Sequence, residues 1–333
     1  MESSPVKPIV ASNMSLESLQ KYEDEISALS KGNGWSPSSC LYLYKGFWFH
    51  PILLTGVLYA RDNFEAQPSD VFLCSFMKTG CTWLKALSFY IATRTQFDDS
   101  TSPLRTLVPH YCVPFLERGF QYLTTSGVKT PLFGSHLPYT LLPKSIIDSG
   151  CKIVYLCRDP KDTFVSLWNF FRKAPGMSES EDQLVSLKEG FELFCKGLCP
   201  YGYGPYWDHV LGYWKASLER PEKILFLKYE DMKEDTEACV KKLADFFGCP
   251  FSIDEEKQGM VQKIIKFCSF ESLSNLEVNK TGKTPGMIEN NAVFRKGKVG
   301  DWRNCLNAGM GERLDNVMEE KLTGSGLTFK NSY

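Results

Sequence analysis

Three stretches of the chain share one layout: a short unbroken apolar run, a polar loop, then apolar residues at helical spacing. Residues 71–76 lead into a loop at 78–82 and a helix to about Thr93. Residues 152–157 lead into 158–161 and a helix to about Arg172, and 224–228 into 229–233 and a helix to about Phe247. Continuous apolar strands are buried on both faces, and strands alternating with helices build parallel sheets. The pattern predicts an α/β fold with a central parallel sheet flanked by helices. Ligands of such sheets sit beyond the carboxyl ends of the strands, so the three polar loops should line one cleft. The longer connections 98–130, 174–203 and 275–294 are candidate walls of a second pocket.

Composition changes this picture little. At 333 residues, 43% hydrophobic and 14% aromatic, the chain can bury one large core, and no compositional break divides it. Residues 1–20 read as a polar lead-in, disordered before about Leu16, and 21–333 as one domain. The stretch 47–60 is the most apolar, but it carries His50 and Pro51 and is too short to cross a bilayer. A net charge of -1 gives no electrostatic footprint for nucleic acid or an anionic membrane, so any anion site must be local. The twelve cysteines are scattered without a Cys-x-x-Cys, as expected of free thiols in a reducing cytosol.

The first loop reads Ser75-Phe76-Met77-Lys78-Thr79-Gly80-Cys81-Thr82-Trp83. A strand entering a helix through such a turn gathers free backbone N–H groups and the positive end of the helix dipole around one small volume, which suits a phosphate. Thr82 is a candidate helix cap and Lys78 stands at the loop's entrance. The lysine precedes the glycine, so this is not a Walker A loop. A capped strand-to-helix turn without a ligand has the same local pattern.

The loop resembles the 5'-phosphosulfate-binding loop of cytosolic sulfotransferases, written Pro-Lys-Ser/Thr-Gly-Thr-Thr-Trp. Two further segments resemble the same family in order: Arg158-Asp159-Pro160-Lys161-Asp162-Thr163-Phe164-Val165-Ser166 and Phe294-Arg295-Lys296-Gly297-Lys298-Val299-Gly300-Asp301-Trp302-Arg303. The similarity runs from about Gly34 to the C-terminus and is nearest to the plant branch. It implies 3'-phosphoadenosine-5'-phosphosulfate (PAPS) as sulfuryl donor. The 5'-phosphosulfate would lie on Lys78, Thr79, Gly80, Cys81 and Thr82, and the 3'-phosphate on Arg158, Ser166, Arg295, Lys296 and Gly297. Adenine would lie against Trp83, Tyr229 and Phe270, with Cys268 beside it. Flat bases favour such rings, since stacking is worth about 1–3 kcal/mol.

Transfer to a hydroxyl by in-line displacement needs a base and a cation at the leaving oxygen. Lys78 is placed to be the cation. Of the four histidines, the residues alone leave His110 and His136 open as bases. The family's Thr-His-Leu/Ile-Pro resembles Ser135-His136-Leu137-Pro138, which implies His136. No metal is implied. The expected partner is a small, largely apolar hydroxylated acceptor such as a flavonoid, steroid or desulfo-glucosinolate. Nucleic acid and membrane are not expected, and a cytoplasmic monomer or weak homodimer is. Aromatics at Phe115, Phe120, Tyr122, Tyr139 and Trp168 favour something flat.

Several positions depart from the family. Met77 replaces its Pro, Cys81 its Thr and Gly134 the Lys of some animal members, and Cys268 stands where Thr is frequent. A thiol is a poorer donor than a hydroxyl, which argues for weaker donor affinity. Two rival readings are a P-loop kinase and a catalytically silent protein that binds PAPS or another metabolite.

Overall fold

The computed structural model describes residues 14–35, 40–118, 130–173, 185–283 and 289–329. Seven strands occur among them: β1 (Lys31–Asn33), β2 (Cys40–Tyr44), β3 (Phe47–Phe49), β4 (Val71–Ser75), β5 (Leu132–Ser135), β6 (Lys152–Cys157) and β7 (Ile224–Lys228). The last four form a wholly parallel sheet in the order β5-β4-β6-β7.

Alternate residues of each strand point to opposite faces, and the two faces have separate cores. Phe72, Cys74, Phe133, Ile153, Tyr155 and Ile224 pack with Leu54, Phe164, Phe171 and Tyr213 from the helices Pro51–Asn63, Pro160–Lys173 and Tyr206–Glu219. Leu73, Leu132, Val154, Leu156 and Leu225 pack with Leu87, Leu243 and Ile264 from the helices Cys81–Thr93, Thr236–Phe247 and Met260–Phe267. A sheet covered on both sides hides the flanks of its strands and leaves the strand ends for chemistry.

The three anticipated strand-loop-helix units are present. The third is interrupted: Asp235 ends the helix Tyr229–Glu234 and caps Thr236–Phe247, accepting from Ala238 N at 2.9 Å. β5 and the antiparallel sheet β1-β2-β3 were not anticipated. Nor is all of 1–20 a loose lead-in, because Ser15 accepts from Ser18 N and caps a helix Leu16–Ser27. Residues 1–13 lie outside the described residues. No described helix is long and apolar enough to cross a membrane.

Candidate active site

The register puts four strand ends side by side. Cys74 pairs with Ser135, Ser75 with Leu156, and Cys157 with Lys228. The residues that leave the sheet there are Lys78 after β4, His136 after β5, Arg158 after β6 and Tyr229 after β7. Parallel strands in register deliver their following residues to one edge, so the site follows from the sheet.

The loop after β4 is built to leave donors free. Gly80 is the N-cap of the helix Cys81–Thr93 at φ +113°, and a Cβ there would come within 2.6 Å of the Tyr229 ring. Only glycine accepts both conditions. Among the described residues no backbone carbonyl accepts from the amides of Gly80, Cys81 or Thr82, whereas Trp83 N and Leu84 N return to Gly80 O. Thr82 lies inside the helix and does not cap it as expected, and its hydroxyl lies 3.2 Å from His110 Nε2. The Thr79 side chain also departs from expectation. It is fully buried and its hydroxyl donates to Phe76 O at 2.8 Å, with Leu156 O at 3.0 Å. That bolts the loop to β6 and leaves only the Thr79 backbone for a ligand.

A cleft opens beyond this loop. It is lined by Lys78, Gly80, Cys81, Thr82 and Trp83 from the first motif, by Arg158 and Ser166 from the second, and by Arg295, Lys296 and Gly297 from the third. Tyr229, Cys268 and Phe270 line it too. Of the residues expected to hold the donor, only Thr79 is missing from its wall. The sequence reading overlooked Lys233, Thr236, Ser269 and Leu273, which also line it. Lys233 stands 5.3 Å above the Trp83 ring, and Trp83 meets Tyr229 edge-on at 5.7 Å.

The third motif has no strand to carry it, and buried Asp162 takes that part. It accepts from Gly300 N at 2.8 Å and Trp302 N at 2.9 Å and pairs with Arg158 at 3.2 Å. Arg158 also donates to Lys298 O at 2.7 Å and lies 4.5 Å from the Tyr229 ring, but its Nε has no partner among the described residues. An unpaired guanidinium nitrogen in a buried side chain is costly unless a ligand completes it. Arg295 and Lys296, expected on the phosphate, both pair with Asp301. Burial would raise that carboxyl, but hydrogen bonds from Lys296, Asn304 and Arg295 win and hold it at about 2. Gly297 sits at φ +62°, where a Cβ would meet the Phe270 ring at 2.6 Å.

His136 stands outside this cleft, at the end of β5. Its Nδ1 lies 2.7 Å from Ser75 O, which can only accept, so in the neutral ring the proton is on Nδ1 and the lone pair on Nε2, which has no hydrogen-bond partner among the described residues. Its ring is held by Phe115 at 4.7 Å and Tyr203 at 5.6 Å. Burial, reinforced by nearby cations and opposed by the hydrogen bond to Ser75 O, pushes the imidazole well below its ordinary value. Buried Glu117 accepts from His136 N at 2.8 Å, Ser135 Oγ at 3.1 Å and Tyr203 OH at 3.3 Å. Sequence reasoning missed it, since a glutamate followed by Arg118 looks like surface.

Two of the other histidines are occupied. His209 accepts from Tyr155 OH at Nδ1 and donates from Nε2 to His136 O at 2.9 Å, and His50 caps the helix Pro51–Asn63. His110 lies 5.3 Å from Phe115, its Nδ1 buried and without a partner among the described residues. Of the aromatics expected around an acceptor, Phe115 adjoins His136, Tyr139 packs on Tyr213, and Trp168 stacks with Arg172. Phe120 and Tyr122 lie outside the described residues, as do parts of the three long connections.

A lysine at the strand ends and a cleft ringed by aromatics and arginines suit an anionic, ring-bearing ligand. Residues 68–326 match the sulfotransferase domain family, and the chain belongs to that family. It is 49% identical over 316 residues to cytosolic sulfotransferase 16 of Arabidopsis thaliana, covering 92% of each chain. It is 48% identical to flavonol 3-sulfotransferase of Flaveria bidentis, over 87% of this chain and 93% of that one. The crystal structure of mouse sulfotransferase SULT7A1 complexed with PAP superposes with a TM-score of 0.65 at 28% identity, covering 86% of this chain and 96% of that one. The protein is a PAPS-dependent sulfotransferase of the plant cytosolic type.

Proposed function

We propose that this enzyme transfers the sulfuryl group of PAPS to a hydroxyl of a flat, largely apolar acceptor, a flavonoid, a steroid, a desulfo-glucosinolate or a related phenol or alcohol, with His136 as base. The observation that carries the reading is the delivery of Lys78, His136, Arg158 and Tyr229 from four adjacent strand ends. When bound, PAPS supplies an activated sulfuryl group joined to its 5'-phosphate. The amides of Gly80, Cys81 and Thr82 and the Lys78 ammonium would hold the phosphosulfate end, the amides pointing from a helix N-terminus. Arg158, whose Nε lacks a partner among the described residues, would take the 3'-phosphate with Ser166 and the Gly297 backbone. Arg295 and Lys296 would add their charge once shared with Asp301. Trp83, Tyr229 and Phe270 would bracket adenine next to Cys268.

His136 Nε2 would accept the proton of the acceptor hydroxyl, while Lys78 offsets charge growing on the leaving oxygen. Rings of Phe115 and Tyr203 beside His136 suit a flat acceptor. Arginine, lysine and amide donors can hold the fixed anions, so the proposed chemistry uses no metal ion. We place the protein in the cytosol as a monomer or weak homodimer, as the names of its relatives suggest for location.

The test is transfer of labelled sulfate from PAPS to a panel of hydroxylated metabolites led by flavonols, with metal chelated. Labelled product is expected. Binding of adenosine 3',5'-bisphosphate (PAP) without any transfer across the panel would instead establish a silent binding protein. Calorimetry separates the kinase reading, which requires ATP with magnesium to bind and PAP without metal not to. A further expectation concerns the bolt: Thr79→Val should cost about 1–3 kcal/mol in urea unfolding while PAP affinity stays near wild type, because the hydroxyl serves the loop and not the ligand.

A further inference from the structure

The helix Cys81–Thr93 is apolar almost all round, yet its centre holds a lysine. Lys85 is 0% exposed. Its Nζ donates to Val113 O at 2.8 Å and lies 3.1 Å from the centre of the Phe115 ring, and it makes no ion pair among the described residues. One carbonyl and one ring face are thin company for a buried ammonium, which makes the position expensive to keep.

Its surroundings explain what it faces. A Cβ on Gly134 would collide with Lys85 Cε and Nζ, so the glycine is the gap that admits the ammonium. Gly134 lies two residues before His136, and its amide donates to Pro114 O at 2.7 Å, which joins β5 to the segment bearing Phe115. The Phe115 ring thus has Lys85 on it at 3.1 Å and His136 beside it at 4.7 Å.

We propose that Lys85 is a positioning residue of the transfer site: a buried cation that seats the Phe115 ring against His136 and, by its charge, keeps His136 neutral and able to accept a proton. The role rests on the reading of His136 as base. Other charged and titratable groups face this pair. Cys81 approaches Lys85 from the same helix, and Glu117, Arg118 and Cys112 approach it from the segment 109–118. Arg118 and His209 face His136, and His110 is near both. Burial lowers Lys85 to about 7, the nearby thiols and Glu117 working against it. Burial also lowers His136, and Lys85 is the foremost of the neighbouring charges that lower it further. On acidification the first proton therefore goes to Lys85, and its charge resists a second on His136.

Lys85→Met keeps the length and removes the charge. With four histidines in the chain, the imidazole resonances of the full-length protein can be followed by NMR and that of His136 assigned from its absence in His136→Ala. In Lys85→Met the His136 midpoint should rise by about one pH unit or more, and the acid limb of kcat/KM should move with it. PAP affinity should be unchanged, since Lys85 does not line the donor cleft. An unmoved midpoint in a folded Lys85→Met overturns the proposal. Should that variant not fold, the wild-type His136 resonance decides: it should show a second inflection near pH 7 as Lys85 loses its proton, and its absence overturns the proposal as well. If His136→Ala turns over like wild type, the base assignment falls, whereas the His136 midpoint still reports whether Lys85 controls its charge.

Discussion

His136→Ala should lower turnover at least about 100-fold, the low end of what a positioned base contributes, while PAP binds as in the wild type. The fold should survive, because only the bond to Ser75 O is lost, while two others belong to the backbone: Glu117 accepts from His136 N, and His136 O accepts from His209. The lost imidazole is the group whose Nε2 has no hydrogen-bond partner among the described residues and whose Nδ1 proton is fixed by Ser75 O. Because burial and adjacent cations hold it well below the ordinary histidine value, the wild-type acid limb of kcat/KM should lie below about pH 6.5 and vanish in the variant. Wild-type turnover in His136→Ala would remove the residue from the mechanism. The next candidate would be His110, whose ring lies 5.3 Å from Phe115 and whose Nδ1 has no partner among the described residues.

The parts of the fold that the sequence disclosed are those whose burial is symmetrical. β4, β6 and β7 are covered on both faces, so they appear as unbroken apolar runs, and their bounds match the expectation closely. β5 is four residues, Leu-Phe-Gly-Ser, and its glycine and serine break the run. That glycine is there for a reason invisible in one dimension, the Lys85 ammonium beside it. β1 and β3 are three residues each, too short for any period to show.

The same limit governs the site. Lys78, Arg158 and Gly297 follow a motif and a strand or lie in a charged loop, so their chemistry shows through. Lys85 and Glu117 are buried charges, and residue type argues for the surface in both. A signal for Lys85 did exist, since Leu84, Ala86, Leu87 and Phe89 leave that helix no polar face. Nothing comparable marks Asp162, whose work is to seat a loop that lies about 140 residues downstream. Pairing of Arg295 and Lys296 with Asp301 is likewise a property of how that loop folds back on itself.

Lys78 sets the second large effect. It sits at φ +65°, a left-handed conformation that costs a non-glycine residue energy, and its Nζ lies 4.1 Å from the Phe170 ring. Burial lowers its ammonium to about 8, and the like charges of Arg295 and Arg158 contribute in the same direction. An anion arriving beside it stabilises the charged form, so binding raises the proton affinity of Lys78 and takes up a proton wherever the free site has lost one. Affinity for PAP should therefore be insensitive to this group below about pH 8 and fall above it, by up to about tenfold per pH unit, until the bound lysine itself deprotonates. Lys78→Arg should abolish that fall, because a guanidinium stays charged throughout, and Lys78→Ala should abolish it too while lowering turnover at least about 100-fold. Calorimetry of PAP binding from pH 7 to about 9.5 reads the first effect and steady-state turnover the second. A wild-type affinity that stays level above pH 8, with Lys78→Ala turning over normally, would leave the lysine only the task of drawing the anion in.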